Sequence, residues 1–362
     1  MMKKYFAMLI SCCLFVSTFA GCANVKTKVA YTVYPIGFLV DRLSSGQVQN
    51  ESIQTDEIVQ RATIKDNYKE ILEDSAIFMH IGDLEPYLGM YKEDITNIQE
   101  TQLDLSIMNA VYSFERYTEV ITDGESTFIE TPYYKGDAFK TIDIDNRDLY
   151  LWLDPIAMLS MAKDVRSWLD LTFPDDAKMF QENFTKLETD LINLDAQYQA
   201  MATSNEANNR VIRFVSMTAS FGNWQKTYGI QVYPAILSKY GALPNKDQLE
   251  LIEQRIKNDG VKYIVYEPNM SEDMIALFDH LEEDLGLTRV ELSNLSSLTQ
   301  EDIDSGKDYL SIMYENLSTL QTMAEDRDEV QIKTAKASKE NAAQNETETV
   351  DETIENTSDI EE

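Results

Sequence analysis

The sequence predicts an α/β protein of two lobes, in which mostly parallel sheets flanked by helices are joined by one long backbone helix. Two observations lead to this prediction. Short β-rich runs alternate with helical patterns on both sides of one very long amphipathic segment, and repeated strand–helix–strand units favour parallel sheets. The chain has 362 residues, of which 43% are hydrophobic, which is enough for two domains with their own cores.

Residues 1–22 predict a signal peptide. Lys3 and Lys4 precede an apolar stretch over 5–19, and Ala20-Gly21-Cys22 closes it; the stretch is too short for a convincing membrane span. This ending resembles a bacterial lipoprotein box, which implies a lipid on Cys22 and a protein anchored in the bilayer, facing outside the cytoplasm. The alternative is an ordinary cleaved signal with a chance cysteine.

The N-terminal α/β lobe is predicted over 23–173. A β-rich run at 28–34 passes into a helical pattern that starts at Pro35, and 113–148 reads as an acidic, weakly periodic loop. Asp154 and Pro155 suit the N-cap and first turn of a further helix. The remaining predicted elements of this lobe are a helix at 67–74 and a strand at 76–81.

The linking backbone helix is predicted over 174–205. Its apolar residues follow a 4-3-4-3-4-3 spacing, which places them on one stripe of a helix: Phe180, Phe184, Leu187, Leu191, Leu194, Tyr198 and Met201. A helix of about 28 residues would be roughly 40 Å long, enough to cross a two-domain protein. A coiled coil is the alternative, although two full heptads are few for one.

The C-terminal α/β lobe is predicted over 206–324. Its strands are predicted at 211–217, 231–237, 261–267 and 287–292, with helices at 246–259 and 271–285. Residues 325–362 carry 13 acids, four bases and no aromatic residue. Such a segment buries too little apolar area to offset its ordering entropy, so it predicts an acidic disordered tail.

Charge and residue counts exclude several functions. With 63 acids against 31 bases the net charge is −32, which opposes binding to nucleic acid or to anionic lipid surfaces. The three cysteines all lie within the first 22 residues and there are only two histidines, so a disulfide framework or an imidazole-rich centre is nearly excluded. Since no catalytic triad or phosphate-binding loop is present, the chain is predicted not to be an enzyme.

Six short segments resemble the substrate-binding lipoproteins of zinc and manganese ABC importers, over about 29–320. They are Tyr34-Pro35, GDLEPY at 82–87, LWLDP at 151–155, FG with YG at 221–229, YIVYEP at 263–268 and the closing pattern over 298–317. The resemblance implies a solute-binding protein that partners the permease and ATPase subunits of an importer. It also implies a monomer.

The family's metal ligands, three histidines and one carboxylate, do not carry over. By resemblance their positions fall on Gln60, Tyr150, Thr218 and Ser293, with Glu57 an alternative to Gln60. His80 is expected to be structural and His280 a solvated surface residue. Zinc or manganese is therefore implied by resemblance alone, and the sequence predicts a degenerate metal site.

Three functions remain open. The first is an extracytoplasmic solute-binding lipoprotein, whose ligand is a metal on changed residues or a small polar solute. The second is a surface interaction or adhesin-like lipoprotein that keeps the scaffold and has lost metal binding. The third is an extracellular enzyme with a carboxylate pair, to which no motif points. An oxygen-ligand site for a harder ion could use acids in or beside the family motifs: Asp83, Glu85, Asp148, Asp154 and Glu267.

Overall fold

The computed structural model describes residues 28–122, 125–144 and 147–327. The N-terminal lobe is built on a four-stranded, fully parallel sheet in the order β2-β1-β3-β4. Its strands are β1 (Lys28–Tyr31), β2 (Gln49–Ser52), β3 (Ile77–His80) and β4 (Gln102–Asp104), and its helices are α1 (Tyr34–Ser44), α2 (Tyr68–Asp74) and α3 (Leu88–Ile98).

An antiparallel insertion follows this sheet, where the sequence predicted a loop over 113–148. It comprises β5 (Tyr112–Ser113), β6 (Arg116–Thr122), β7 (Glu125–Thr131) and β8 (Arg147–Asp148), which pair as β6–β7 and β5–β8. The loop prediction is wrong because β6 and β7 are rich in Thr, Val and Ile, and this β-propensity outweighs their charge. Arg116 anchors the insertion by donating to Tyr233 Oη at 2.6 Å and to Asp259 Oδ2 at 3.3 Å.

Two helices join the lobes. Helix α4 (Pro155–Thr172) begins where Asp154 accepts the backbone N–H groups of Ile156 at 2.8 Å and Ala157 at 3.3 Å, so the predicted cap is confirmed. After a short 3-10 turn at Pro174–Asp176, helix α5 (Ala177–Ala207) runs for 31 residues, about 47 Å at the usual rise. Its buried residues are the seven of the predicted stripe, which confirms that assignment.

The C-terminal lobe repeats the parallel architecture, with the strand order β11-β10-β12-β13. Its strands are β9 (Arg210–Val211), β10 (Arg213–Thr218), β11 (Gln231–Ile236), β12 (Tyr263–Tyr266), β13 (Thr288–Glu291) and β14 (Glu325–Asp326). Its helices are α6 (Gly222–Tyr228), α7 (Lys246–Asn258), α8 (Glu272–Leu285), α9 (Gln300–Asp304) and α10 (Tyr309–Thr322).

The last strand, β14, lies beyond the predicted end of the C-terminal lobe at 324. β14 pairs antiparallel with β9, Glu325 is buried, and its Oε2 lies 2.7 Å from Lys262 Nζ. The body therefore includes residues 325–327, which the sequence had assigned to the tail over 325–362. The other residues assigned to the tail, and those of the signal peptide, lie outside the described ranges.

One hydrophobic core runs through both lobes. It joins the inner face of the first sheet, the stripe of α5 and the inner face of the second sheet, through residues such as Val29, Leu191 and Phe214. Smaller clusters lie in each lobe, around Phe78 in the first and Phe278 in the second. Within the described residues, no helix combines the length and apolarity needed to cross a membrane.

Candidate functional site

The candidate site is the cleft between the lobes, at the carboxyl ends of the parallel strands, where ligands bind in open α/β sheets. The first lobe contributes Gln60, Asp148 and Tyr150, and the second contributes Ser238 and Lys239, two and three residues after the end of β11. The cavity they enclose is about 20 Å³. One water molecule requires about 10–15 Å³ by the same measure, so the closed cleft has room for a single water or ion.

Gln60 and Tyr150 meet across this cavity. Gln60 Nε2 donates to Tyr150 Oη at 2.9 Å, and Tyr150 is only 5% exposed, with its ring 5.2 Å from that of Trp152. Gln60 Oε1 is buried and has no hydrogen-bond partner among the described residues. An orphaned buried acceptor is costly, so this oxygen is available to a ligand in the cavity.

Asp148 supplies the carboxyl group of the cleft. It is 3% exposed, and its Oδ1 accepts the backbone N–H of Tyr150 at 3.1 Å. Burial raises the pKa of this carboxyl to about 7, against the lowering effect of backbone hydrogen bonds from Tyr150 and Asn223. A Cβ at Gly222 would lie 2.1 Å from Oδ2, so the close approach of α6 to this carboxyl requires glycine there.

Thr218 does not line the cleft cavity; it belongs to a closed network beneath it. Glu267 is 0% exposed, and Thr218 donates to it twice at 2.9 Å, from its backbone N to Oε1 and from its hydroxyl to Oε2. Ser220 and Asn294 donate to the same Oε2 at 3.1 and 3.0 Å. With four donors, Glu267 has the surroundings of a structural carboxylate, although burial still raises its pKa.

Ser293 also lies away from the cavity. Its backbone N donates to Asn316 Oδ1 at 2.9 Å, and Asn316 Nδ2 donates to its carbonyl oxygen at 2.9 Å. Its hydroxyl accepts the backbone N–H of Leu295 at 3.1 Å. Of the four positions matched to the family's ligands, the structure therefore brings only Gln60 and Tyr150 together.

The other candidate ligands do not converge either. Asp83 pairs with Arg147 at 2.6 Å, and His280 lies on the surface, 42% exposed, between Glu253 and Asp284. Throughout the described part of the chain, no group of three or more His, Cys, Asp or Glu side chains is placed to hold a metal ion. The lining of the cleft offers oxygen ligands and one carboxyl, together with the cationic side chains of Arg147 and Lys239.

Sequence reasoning did not single out Ser238, Lys239 or Ala219 as cleft residues. Ala219 directly follows the central strand β10, and Ser238 and Lys239 come two and three residues after the end of the edge strand β11. The rule that ligands bind at such strand ends was the available signal. This rule gives the region of the fold where a ligand binds, but it does not say which side chains line the site. The packing of the two lobes identifies Ser238, Lys239 and Ala219.

Comparison with known proteins identifies a family and a set of structural neighbours. The family model described as zinc-uptake complex component A, periplasmic (ZnuA), matches residues 29–323. The zinc-binding protein AdcA of Streptococcus pyogenes serotype M6 is 27% identical over 173 residues, which are 48% of this chain and 32% of that protein. The chain thus spans about a third of the length of this curated relative.

Two solved structures share the fold. The periplasmic zinc-binding protein TroA of Treponema pallidum has a TM-score of 0.62 at 15% identity, and the laminin-binding protein Lmb of Streptococcus agalactiae has one of 0.63 at 16%. Each comparison covers 82% of this chain and 98% of the other chain. At such low identities these comparisons establish the fold of the two lobes and their long helix.

Proposed function

Since this chain belongs to the ZnuA family of zinc-uptake components, we propose that it is an extracytoplasmic solute-binding lipoprotein that delivers a solute to the permease of an ABC importer. The observation that carries the proposal is the cleft between two parallel-sheet lobes, closed around a cavity of about 20 Å³. The permease and its ATPase would be the partners, and the protein would act as a monomer. We infer no catalytic role, because the family to which the chain belongs is a component of zinc uptake.

The metal site of the family is degenerate in this proposal. Two positions expected to carry imidazoles hold Tyr150 and Thr218, and the hydroxyl and backbone N–H of Thr218 are both engaged by Glu267. The phenol of Tyr150 and the hydroxyl of Thr218 are poor ligands for a borderline-soft ion such as zinc. The solute would instead meet Gln60 Oε1, Tyr150 Oη and the carboxyl of Asp148, which favours a hard cation or a small neutral polar molecule.

Thermal unfolding of the purified mature protein tests the degenerate site. A ligand at 100 times its Kd stabilises a fold by about 2.7 kcal/mol, which shifts the midpoint by roughly 4 °C in a folded body of about 300 residues. We expect micromolar zinc or manganese to produce no such shift. The same titration with calcium, magnesium and small polar solutes would identify the class that the cleft accepts.

Two variants make the zinc result decisive. His280→Gln removes the exposed imidazole between Glu253 and Asp284, so a zinc shift that it abolishes comes from the surface. Tyr150→Phe removes the hydroxyl that accepts the hydrogen bond from Gln60 and keeps the ring that packs on Trp152. A zinc shift that survives His280→Gln and disappears in Tyr150→Phe would contradict the degenerate site.

The lipid anchor rests on Ala20-Gly21-Cys22. Two or more acyl chains give stable anchoring where one chain is marginal, so Cys22→Ser should release the protein into the medium. Metabolic labelling with a radioactive fatty acid and fractionation of the membrane measure this directly. Membrane retention of Cys22→Ser, together with an unlabelled wild-type protein, would refute the anchor.

A second candidate function is a surface interaction or adhesin-like lipoprotein that has lost metal binding. The observation that favours it is the loss of the family's ligands at Tyr150 and Thr218. The structural neighbour Lmb is described as a bifunctional protein with adhesin and metal-transporting activity, so this scaffold supports both roles in that protein. Deletion of the gene separates the two here: reduced uptake of a solute supports transport, and reduced adhesion with normal uptake supports the alternative.

A further inference from the structure

A second cavity, of about 460 Å³, lies in the N-terminal lobe, between α3 and the carboxyl ends of β3 and β4. Phe78, Leu88 and Ile95 form an apolar floor and are 1, 8 and 2% exposed. The cavity shares only Arg147 with the lining of the interlobe cleft. Its volume lies in the range of about 300–1,000 Å³ that small-molecule sites occupy, and the proposed transport function does not use it.

Gly89 borders this cavity at a position where neither packing nor backbone conformation requires glycine. It lies in the first turn of α3, where glycine is a poor helix former. A Cβ at this position would meet no atom within 4 Å, and its φ is not in the left-handed region. Since Gly89 lines the cavity, its missing side chain leaves the space open, and a larger residue would fill it without straining the backbone.

His80 offers a hydrogen-bond acceptor at the cavity wall. Its Nδ1 lies 2.8 Å from the carbonyl oxygen of Gly82, which can only accept, so Nδ1 carries the proton. In the neutral ring Nε2 is then an acceptor, and no partner for it occurs among the described residues. The ring is fixed by stacking on Phe78, at 5.4 Å between centroids and 17° between planes.

Lys92 provides a positive charge. It lies four residues after Leu88 and three before Ile95, on the face of α3 that lines the cavity, and it makes no ion pair with the residues that the structure describes. The nearby acids are engaged: Asp83 pairs with Arg147 at 2.6 Å, and Asp104 accepts backbone N–H groups from Gly82 and Ser106 at 2.8 and 2.9 Å.

We propose that this cavity is a second ligand site, which takes a small carboxylate with an aromatic or branched apolar body and one O–H or N–H donor. The carboxylate pairs with Lys92, the body packs on Phe78 and Leu88, and the donor bonds to His80 Nε2. Asp83 and Arg147 pair with each other, which leaves Lys92 as the cationic group of the lining that is available to a carboxylate.

The test uses the full mature chain and 4-hydroxyphenylacetate, with 3-phenylpropionate as a probe that lacks the donor and 4-hydroxyphenylacetamide as one that lacks the charge. Binding is measured by saturation-transfer NMR and by calorimetry. We expect 4-hydroxyphenylacetate to bind, Gly89→Leu to abolish its binding, and Lys92→Met to weaken it about tenfold, the scale of one charged hydrogen bond. The amide should bind wild type weakly and lose nothing further in Lys92→Met.

Three matched variants should leave binding unchanged. Met90→Leu alters the residue after Gly89. Met90 is 78% exposed and lies outside the cavity. Lys178→Met removes a lysine that is 91% exposed on α5. Tyr150→Phe alters the interlobe cleft, so loss of binding there would move the ligand to the cleft and overturn the second site. Failure of all three probes to bind wild type, or equal binding to folded Gly89→Leu, would also overturn it.

Discussion

Asp148 is a buried carboxyl whose environment was not evident from its place in the sequence. It is the last residue of the short strand β8, two residues before Tyr150, and the close approach of Gly222 from the other lobe covers it. Burial raises its pKa to about 7, since a charged carboxylate is disfavoured in a medium of low dielectric constant. The cleft therefore holds a group that titrates near neutral pH.

The raised pKa predicts a pH dependence of stability that Asp148→Asn removes. The folded state binds the proton more tightly than the unfolded state, whose carboxyl keeps the ordinary value of 3.8. The free energy of unfolding therefore falls as pH rises from about 4 to 7 and is not lowered further by this group above pH 7. From pH 5 to pH 8 the free energy of unfolding of Asp148→Asn should rise by about 2–3 kcal/mol relative to that of wild type. Urea unfolding at each pH measures this difference.

Asp137→Asn is the control for this measurement. Its side chain is 92% exposed, so its stability curve should run parallel to that of wild type over the same range. Parallel curves for Asp148→Asn as well would mean that its carboxyl is solvated in the folded protein. The cleft would then be open to water, against the buried position described above.

Helix α5 is the element whose sequence pattern is most completely expressed in the structure. Its seven stripe residues are its buried residues, and they pack against α1, α4 and α10. Helical periodicity fixes which side chains share a face before any tertiary contact forms. For this reason the assignment could be made from the sequence alone, although packing moved the start of the helix from Pro174 to Ala177.

Leu191→Ala is expected to destabilise the protein, because it leaves a cavity in the core that joins the lobes. Leu191 is 0% exposed, and such truncations typically cost about 2–5 kcal/mol. Its neighbour Ile192 is 48% exposed on the same helix, so Ile192→Ala should cost less than about 1 kcal/mol. Urea denaturation measures both; equal losses would contradict the assignment of the buried face.

Other elements could not be predicted from their sequence, for identifiable reasons. Strands β2 and β4 have only four and three residues, which are too few to show a clear alternation of polar and apolar residues. In addition, the sequence QNES in β2 is polar throughout. The hairpin β6–β7 was missed because its charges obscured its β-branched residues. Short or charged strands are specified by pairing with neighbours, which a local pattern does not contain.

At the scale of the whole molecule, the lobes are held by contacts between residues far apart in sequence. Trp152 donates to the carbonyl oxygen of Asn294 at 2.7 Å, Trp224 to that of Leu153 at 2.9 Å, and Tyr309 to that of Trp152 at 2.6 Å. These bonds place the LWLDP segment, and with it Tyr150, at the cleft. Resemblance could locate Tyr150 and Gln60, whereas the displacement of Thr218 into a network around Glu267 required the packed structure.

The extent of the folded body can be tested by a pair of truncations. A chain ending at Arg327 keeps β14, whereas one ending at Met323 removes its pairing with β9 and leaves Lys262 without Glu325. Because the acidic residues beyond Arg327 lack the apolar content to form a core, we expect the longer chain to match wild type within about 1 kcal/mol. The shorter chain should lose about 2 kcal/mol or more, since it gives up the hydrogen bonds between β14 and β9 and the ion pair of Glu325 with Lys262. Thermal and urea unfolding of the three chains measure this, with Lys262→Met as the variant that removes the ion pair to Glu325 while β14 stays in the chain. If the chain ending at Arg327 were as unstable as the shorter one, residues beyond Arg327 would have to pack on the body, and the sequence-based assignment of that segment as an acidic disordered tail would be wrong.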